Sequence, residues 1–220
     1  MTVTAATILA SAASTLLDTA HRTWPSSELL EYLNEAQRAT AFVKPDLYVV
    51  ETDVALVAGI TQRIPDDGIA LVNIKRNTIV FPDTGLERVV TQCDSGLLDE
   101  AYRFWPSGTP TRRVEHFTAD PRNPLHFDVF PPNDGTGLVV MAYGAVPPRI
   151  MYEDEELQVP DSFEPTFLNY MLGRAYEKNS KRQDLTKSAA YYQRWGQALG
   201  LKSQAQIAVA AKVGAEPGTL

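Results

Sequence analysis

The chain has 220 residues, of which 44% are hydrophobic and 21% charged, and its formal net charge is −7. That length supports one large domain or two small ones with a sizeable core, and no run approaches the roughly 18 uninterrupted apolar residues of a membrane-spanning helix. The acidic balance argues against a surface that wraps DNA nonspecifically, and the single cysteine, Cys93, excludes an intramolecular disulfide framework and a cysteine-based metal site.

Helical periodicity starts at once. Ala5, Ile8, Leu9, Ala12, Leu16 and Leu17 recur at the three-and-four spacing of an amphipathic helix over about Thr4 to Thr19. The small apolar start reads as this helix and not as an export signal, since no Lys or Arg precedes Ile8-Leu9-Ala10. His21 to Pro25 breaks the pattern. A second helix follows, with Pro25 in its first turn, Thr23 or Ser26 as cap, and Leu29, Leu33, Ala36, Thr40 and Val43 on one seam. Lys44 before Pro45 ends it, because a residue preceding proline avoids helical geometry.

From Leu47 the texture is that of strands. Tyr48–Val57, Ile60–Ile64, Ile69–Lys75 and Arg88–Gln92 are rich in β-branched residues, with turns expected at Ala58-Gly59 and Pro65-Asp66-Asp67-Gly68. Leu97 to Tyr102 reads as a brief helical element. Strands are then expected at Arg113–Thr118, Leu125–Phe130 and Leu138–Tyr143, the last two separated by a loop over Pro131-Pro132-Asn133-Asp134-Gly135. Short strands with frequent turn signals predict a small sandwich-like or barrel-like insert.

Helical pattern returns after the acidic run Glu153-Asp154-Glu155-Glu156. One helix carries Phe167, Tyr170, Met171 and Arg174 on a face, with Pro165 in its first turn. Another, from about Asp184, carries Ala189, Tyr192, Trp195 and Leu199, with Gly200 as C-cap. The expected class is α+β: a helical platform in two halves, residues 1–46 and 151–203, around a β-rich insert, 47–150. A C-terminal tail, 204–220, is expected to be partly extended or disordered when free. Leu29, Leu33, Ala36, Phe167, Tyr170, Met171, Tyr192 and Trp195 are the expected platform core.

Chemistry is sparse. His21, His116 and His126 are scattered without metal-ligand spacing. Cys93 has no histidine nearby in sequence and reads as a half-buried strand residue of a reducing compartment. Gly135-Thr136-Gly137 lacks the lysine and following helix of a phosphate loop. Neither Asp66-Asp67-Gly68 nor Glu153 to Glu156 has the ligand spacing of a calcium loop. No catalytic residue, metal or cofactor is therefore expected. The sharper reading of Glu153, Asp154, Glu155 and Glu156 is a contact with a basic patch on a neighbouring subunit, for which Lys178, Lys181, Arg182 and Lys187 are the candidates. The aromatics Trp24, Tyr32, Tyr170, Tyr191, Tyr192 and Trp195 fall at helical spacing without interleaved basic residues, which favours packing over base stacking.

Several stretches carry a resemblance. They are Trp24-Pro25-x-x-Glu28-Leu29-Leu30-x-Tyr32-Leu33-Asn34-Glu35-Ala36-Gln37-Arg38 leading to Lys44-Pro45-Asp46, then Leu97-Leu98-Asp99, and then Phe127-Asp128-Val129-Phe130-Pro131-Pro132. Tyr170-x-Leu172-x-Arg174-Ala175-Tyr176, Ala189-Ala190-Tyr191-Tyr192 and Leu199-Gly200 complete the set. In this order they resemble the head-to-tail adaptor (neck, or connector) proteins of tailed bacteriophages. The resemblance implies a structural virion protein without enzymatic activity, made in the host cytoplasm and placed at the neck. It further implies a closed ring, commonly of twelve copies, beneath the portal protein, extending the DNA channel and docking tail or nozzle proteins. Gln204 to Val213 would take the part of a portal-contacting tail, with Ile207, Val209 and Val213 as its contacts. An acidic lumen would let DNA pass without sequence-specific binding. The rival readings are a tail-completion or tail-nozzle component, a nucleic-acid-binding factor (disfavoured by the charge), and a hydrolase whose groups converge only in three dimensions.

Overall fold

Two units share the chain in the computed structural model, which describes residues 3–78, 88–201 and 204–215. The helical unit takes Met1–Tyr48 and Val146–Thr219, and the β unit takes Val49–Ala145. Among the described residues there are six α-helices and two sheets, with the helices flanking a β-rich middle in the sequence.

In the helical unit, α1 (Ala5–Thr15) buries Ala5, Ile8, Leu9, Ala12 and Ala13, while α2 (Ser26–Val43) buries Leu29, Leu33, Ala36, Ala39 and Thr40. Both seams follow the helical spacing of the sequence. No side chain caps α2, whose N-cap is Pro25. The turn before it is organised instead by Asp18, whose buried carboxylate accepts N–H bonds from Arg22, Thr23 and Trp24 at 3.1, 2.8 and 2.9 Å.

The returning half supplies α4 (Glu164–Glu177) and α5 (Leu185–Ala198). Asp184 caps α5 by accepting from the Lys187 N–H at 3.0 Å. Two indoles join the halves: Trp24 donates to the Ala175 carbonyl at 3.1 Å, and Trp195 donates to Thr40 Oγ1 at 3.1 Å. Both rings are fully buried. Asn34 of α2 adds a reciprocal pair with the Ile150 backbone, donating at 3.0 Å and accepting at 2.9 Å.

The tail differs from expectation. Gln204–Ala215 is a helix, α6, laid against α2. Gly214 makes this possible, since a Cβ there would lie 2.4 Å from the Ala39 Cβ and 2.7 Å from the Glu35 carbonyl. The part of the tail beyond Ala215 lies outside the described residues.

In the β unit, β1 (Val49–Ala55), β3 (Gly68–Asn77) and β7 (Leu138–Ala145) form a three-stranded antiparallel sheet in the order β1-β7-β3. The second sheet has the order β2-β6-β5-β4, where β2 is Ala58–Arg63, β4 Thr91–Gln92, β5 His116–Ala119 and β6 His126–Asp134. β1 and β2 thus belong to different sheets, and the corner between them is closed by a side chain. Gln62 accepts from the Val57 N–H at 2.8 Å and donates to the Val57 carbonyl at 2.9 Å.

The run expected as one strand at Arg88–Gln92 is split between the sheets. Arg88 and Lys75 accept from Asn77 and Val90, after which Thr91 and Gln92 pair in parallel with β5. A short helix, α3 (Ser95–Ala101), follows, capped by Asp94.

The loop expected at Pro131-Pro132 is strand instead: β6 continues to Asp134 through a cis Phe130–Pro131 bond. Proline has no N–H to donate, but β6 needs only carbonyls here. Those of Phe130 and Pro132 accept from Glu115 and Thr111 at 2.7 and 2.8 Å. On the other side the β2–β6 register shifts between Gly59 and Thr61, so no ladder partner is missed.

Fully buried Asn77 accepts from Val114 N–H at 2.9 Å and donates to Val114 carbonyl at 2.8 Å, tying β3 to the approach of β5. Truncating it leaves both backbone groups buried without partners. Asn77→Ala is expected to lower stability by about 2–4 kcal/mol, whereas Thr61→Ala at an exposed pair should cost under about 0.5 kcal/mol. Urea unfolding of the two variants checks the difference.

Candidate functional site

The described residues hold no group of three His, Cys, Asp or Glu side chains placed to bind a metal ion. His21 Nδ1 lies 3.2 Å from the Trp24 carbonyl, His126 Nδ1 lies 3.0 Å from Asn123 Oδ1, and His116 stacks on Phe130. Cys93 points its thiol at the Phe117 carbonyl, 3.7 Å away. Burial, helped by the Asp94 charge, raises its pKa and so disfavours the nucleophilic thiolate. A polar cleft of the β unit brings Cys93, Asp94, Asp120, His126 and Asp128 to one surface. Asp128 there accepts from Thr61 and His126 is engaged with Asn123.

A second cleft, of about 500 Å³, is lined from α4, α5 and α6, with Arg174, Glu177, Tyr192, Ala208, Ala211 and Lys212 among its residues. Arg174 is the hub. It donates to Glu35 at 2.7 Å and to Glu177 at 3.1 Å, and its guanidinium lies over the Tyr32 ring. Burial works against its charge, but the Glu35 carboxylate overrides that and holds the proton firmly. Burial also raises the phenols of Tyr32, Tyr170 and Tyr192, followed by the nearby acids and, for Tyr192, by Tyr170. These groups keep their protons at neutral pH, so the cleft holds a structural charge network and not an acid–base pair.

The platform residues Leu29, Leu33, Ala36, Phe167, Tyr170, Met171 and Trp195 are fully buried. Tyr192 is half-buried, lines the cleft and donates to Glu177 at 3.3 Å. The three tail residues diverge. Ile207 is buried against Gly196, where a Cβ would come within 2.3 Å of it, so it packs inside its own chain. Val213 is half-buried, and Val209 is exposed beside an apolar groove with Phe42.

The charged candidates separate as well. Lys178 turns inward to Glu28 at 2.5 Å and the Thr23 carbonyl at 3.0 Å. Arg182 donates to the Leu16 carbonyl at 3.1 Å and lies over Trp24. Lys187 reaches Asp184 at 3.4 Å and Tyr176, while Lys181 stands on the surface.

The acidic run is bound to α1 through its backbone: the carbonyls of Glu155 and Glu153 accept from Ala5 and Ala6 at 3.0 and 2.7 Å. It thereby satisfies N–H groups that α1 cannot satisfy itself. Its Glu153, Asp154 and Glu156 side chains remain exposed, and Glu155 accepts from the N–H groups of Met151 and Tyr152 at 3.1 and 2.8 Å. The run and Arg182 therefore sit at opposite ends of α1, each with the sign of charge that its end of the helix dipole favours. Sequence reading missed Asp18 and Leu17. The available signal was an aspartate directly after a helix that has no Gly or Asn to end it.

What remains is a molecule of packed helices, two sheets and charged surfaces. A family model described as SU10 adaptor protein matches residues 3–215. The chain belongs to the SU10 adaptor protein family. The family is one of bacteriophage structural adaptors, and the match takes in both the helical and the β unit. No curated protein matches the chain. No helix of the described residues is long and apolar enough to cross a membrane.

Two outcomes follow from this geometry. The Trp24 N–H, then those of Thr23 and Arg22 and the Arg182 charge, hold the Asp18 carboxyl below its ordinary range, against the opposing effect of burial. Its contribution to stability is present above the unfolded value of about 3.9 and is lost as pH falls through the lower folded value. Asp18→Asn should therefore be less stable than the parent at neutral pH, with the difference closing below about pH 4. Unfolding curves across pH 2–7 measure it. Gly214→Val should displace α6, seen as faster hydrogen exchange over 204–215 with α2 and α4 still protected.

Proposed function

We propose that this adaptor forms a closed ring at the junction of phage head and tail, seated on the portal protein and presenting a surface to tail components. The family match over residues 3–215 carries the reading. The net charge of −7 accords with it, since a channel that DNA crosses works best when phosphates find few cations to hold them. Copies in such a ring meet through two different faces, as rotational closure of a head-to-tail contact requires. The tail helix α6 contributes through Val209, whose exposed side chain and neighbouring groove with Phe42 offer an apolar contact to the portal.

Mixing the purified chain with portal and weighing the product tests the reading. The expected result is a complex heavier than the portal ring by several copies of the chain. Failure to join portal or portal-bearing heads under every assembly condition contradicts it.

A further inference from the structure

We propose that copies of this chain join head to tail through the opposite ends of α1, the Met151–Tyr152 turn of one copy seating against the Leu17 end of the next. The proposal rests on the ring reading and names the contact that builds it.

The first observation is a left-handed leucine whose side chain its own fold leaves exposed. Helix α1 ends in a Schellman turn: Leu17 N–H donates to the Ser14 carbonyl at 3.1 Å and Asp18 N–H to the Ala13 carbonyl at 2.9 Å. The pivot of that turn is in the left-handed region, where glycine is favoured, yet the residue is Leu17 at φ 54°. The same chain ends α5 with the same motif and does use glycine, Gly200 at φ 77°, with Leu201 N–H donating to the Gly196 carbonyl at 2.8 Å. Leu17 is 84% exposed, so its side chain gains almost nothing from its own fold. A leucine held exposed in the left-handed region points to a partner. Leu185 is also 63% exposed and lies three residues beyond Arg182, which binds the Leu16 and Leu17 carbonyls.

The second observation is at the other end of the helix. Met151 and Tyr152 are 60% and 70% exposed, and Glu155 holds their backbone so that this turn is fixed before any partner arrives. Around this apolar pair stand the exposed Glu153, Asp154 and Glu156. Around Leu17 stand the exposed Arg22, Lys181 and Arg182. The opposing charges at each end are already engaged: Arg149 with Glu31, Asp184 with Lys187, and Asp18 with the backbone of its turn.

The two patches are complementary in apolar character and opposite in charge. The ten helical steps from Ala5 to Thr15 span about 15 Å, beyond the reach of an ion pair within one copy. The patches can meet only between copies, and a contact between unlike patches is heterologous, the type that gives a ring when its rotation closes. Charge steers the approach and rejects like ends.

Disulfide trapping tests the contact in the full chain with Cys93→Ser. Leu17→Cys and Tyr152→Cys chains, mixed in equal amounts and oxidised, should give a mixed dimer and few identical pairs. A chain carrying both substitutions should give a ladder that ends in a closed species. Leu17→Gly should keep or raise the melting temperature while weakening self-association roughly tenfold or more. Glu153→Lys with Asp154→Lys, or Arg22→Glu with Lys181→Glu, should each weaken it by about tenfold or more, and inverting both patches together should restore it. No mixed link at any concentration, or links only between identical positions, overturns the contact. A chain that joins portal-bearing particles without linking positions 17 and 152 overturns it and leaves the adaptor reading standing. One that forms the link but joins no portal does the reverse.

Discussion

Two indole N–H groups hold the helical unit together across the break in its sequence. Trp24, from the first half, donates to a carbonyl of α4, and Trp195, from the second, donates to a hydroxyl of α2. Each ring is fully buried and its one polar atom is satisfied only by the other half, so neither half can bury its tryptophan well alone. The T-shaped contact of Trp24 with Tyr176 extends the same dependence into the aromatic packing, while Trp195 meets Tyr170 inside the second half. The excursion between the halves is consistent with this because its two ends return to one place. The register of β1 and β7 sets Val49 opposite Gly144, so the insert closes on itself where it begins.

Buried carboxamides do a related task. Asn34, Gln62 and Asn77 each accept from a backbone N–H and donate to the carbonyl of the same residue, as a neighbouring strand would. Asn133 accepts from Gly135 and Gly137 and donates to the carbonyls of Thr111 and Arg112. These side chains satisfy backbone groups where the chain leaves one element before joining another, which is where an irregular fold is most exposed to unpaired polar groups.

The sequence made the helices legible because their seams repeat every three or four residues, and Leu29, Leu33 and Ala36 fall where that spacing puts them. The α+β class followed from the change of texture at Leu47. The division of strands between sheets was not legible, since periodicity says nothing about partners, and it is the Gln62 side chain that closes the corner between β1 and β2. The prolines misled for a definite reason: Pro131 and Pro132 suggest a loop only if their missing N–H groups are needed, and β6 uses the carbonyls of Phe130 and Pro132 as acceptors. Of the charged residues, Lys178 turns inward to Glu28 and the exposed Arg182 reaches back to the end of α1, a matter of three-dimensional proximity that spacing cannot reveal. The surface character of Glu153, Asp154 and Lys181 was readable, but the exposed Leu17 was hidden in an apparently ordinary apolar stripe.

The family match and the surfaces support the proposed account, an adaptor that acts by contact, with opposite charges at the two ends of α1. Imaging the neck of particles that contain this chain tests that account most directly. It predicts density for the chain as a closed ring between portal and tail, every copy related to the next by the same rotation. Density elsewhere in the particle, or copies paired about two-fold axes through identical surfaces, would contradict it.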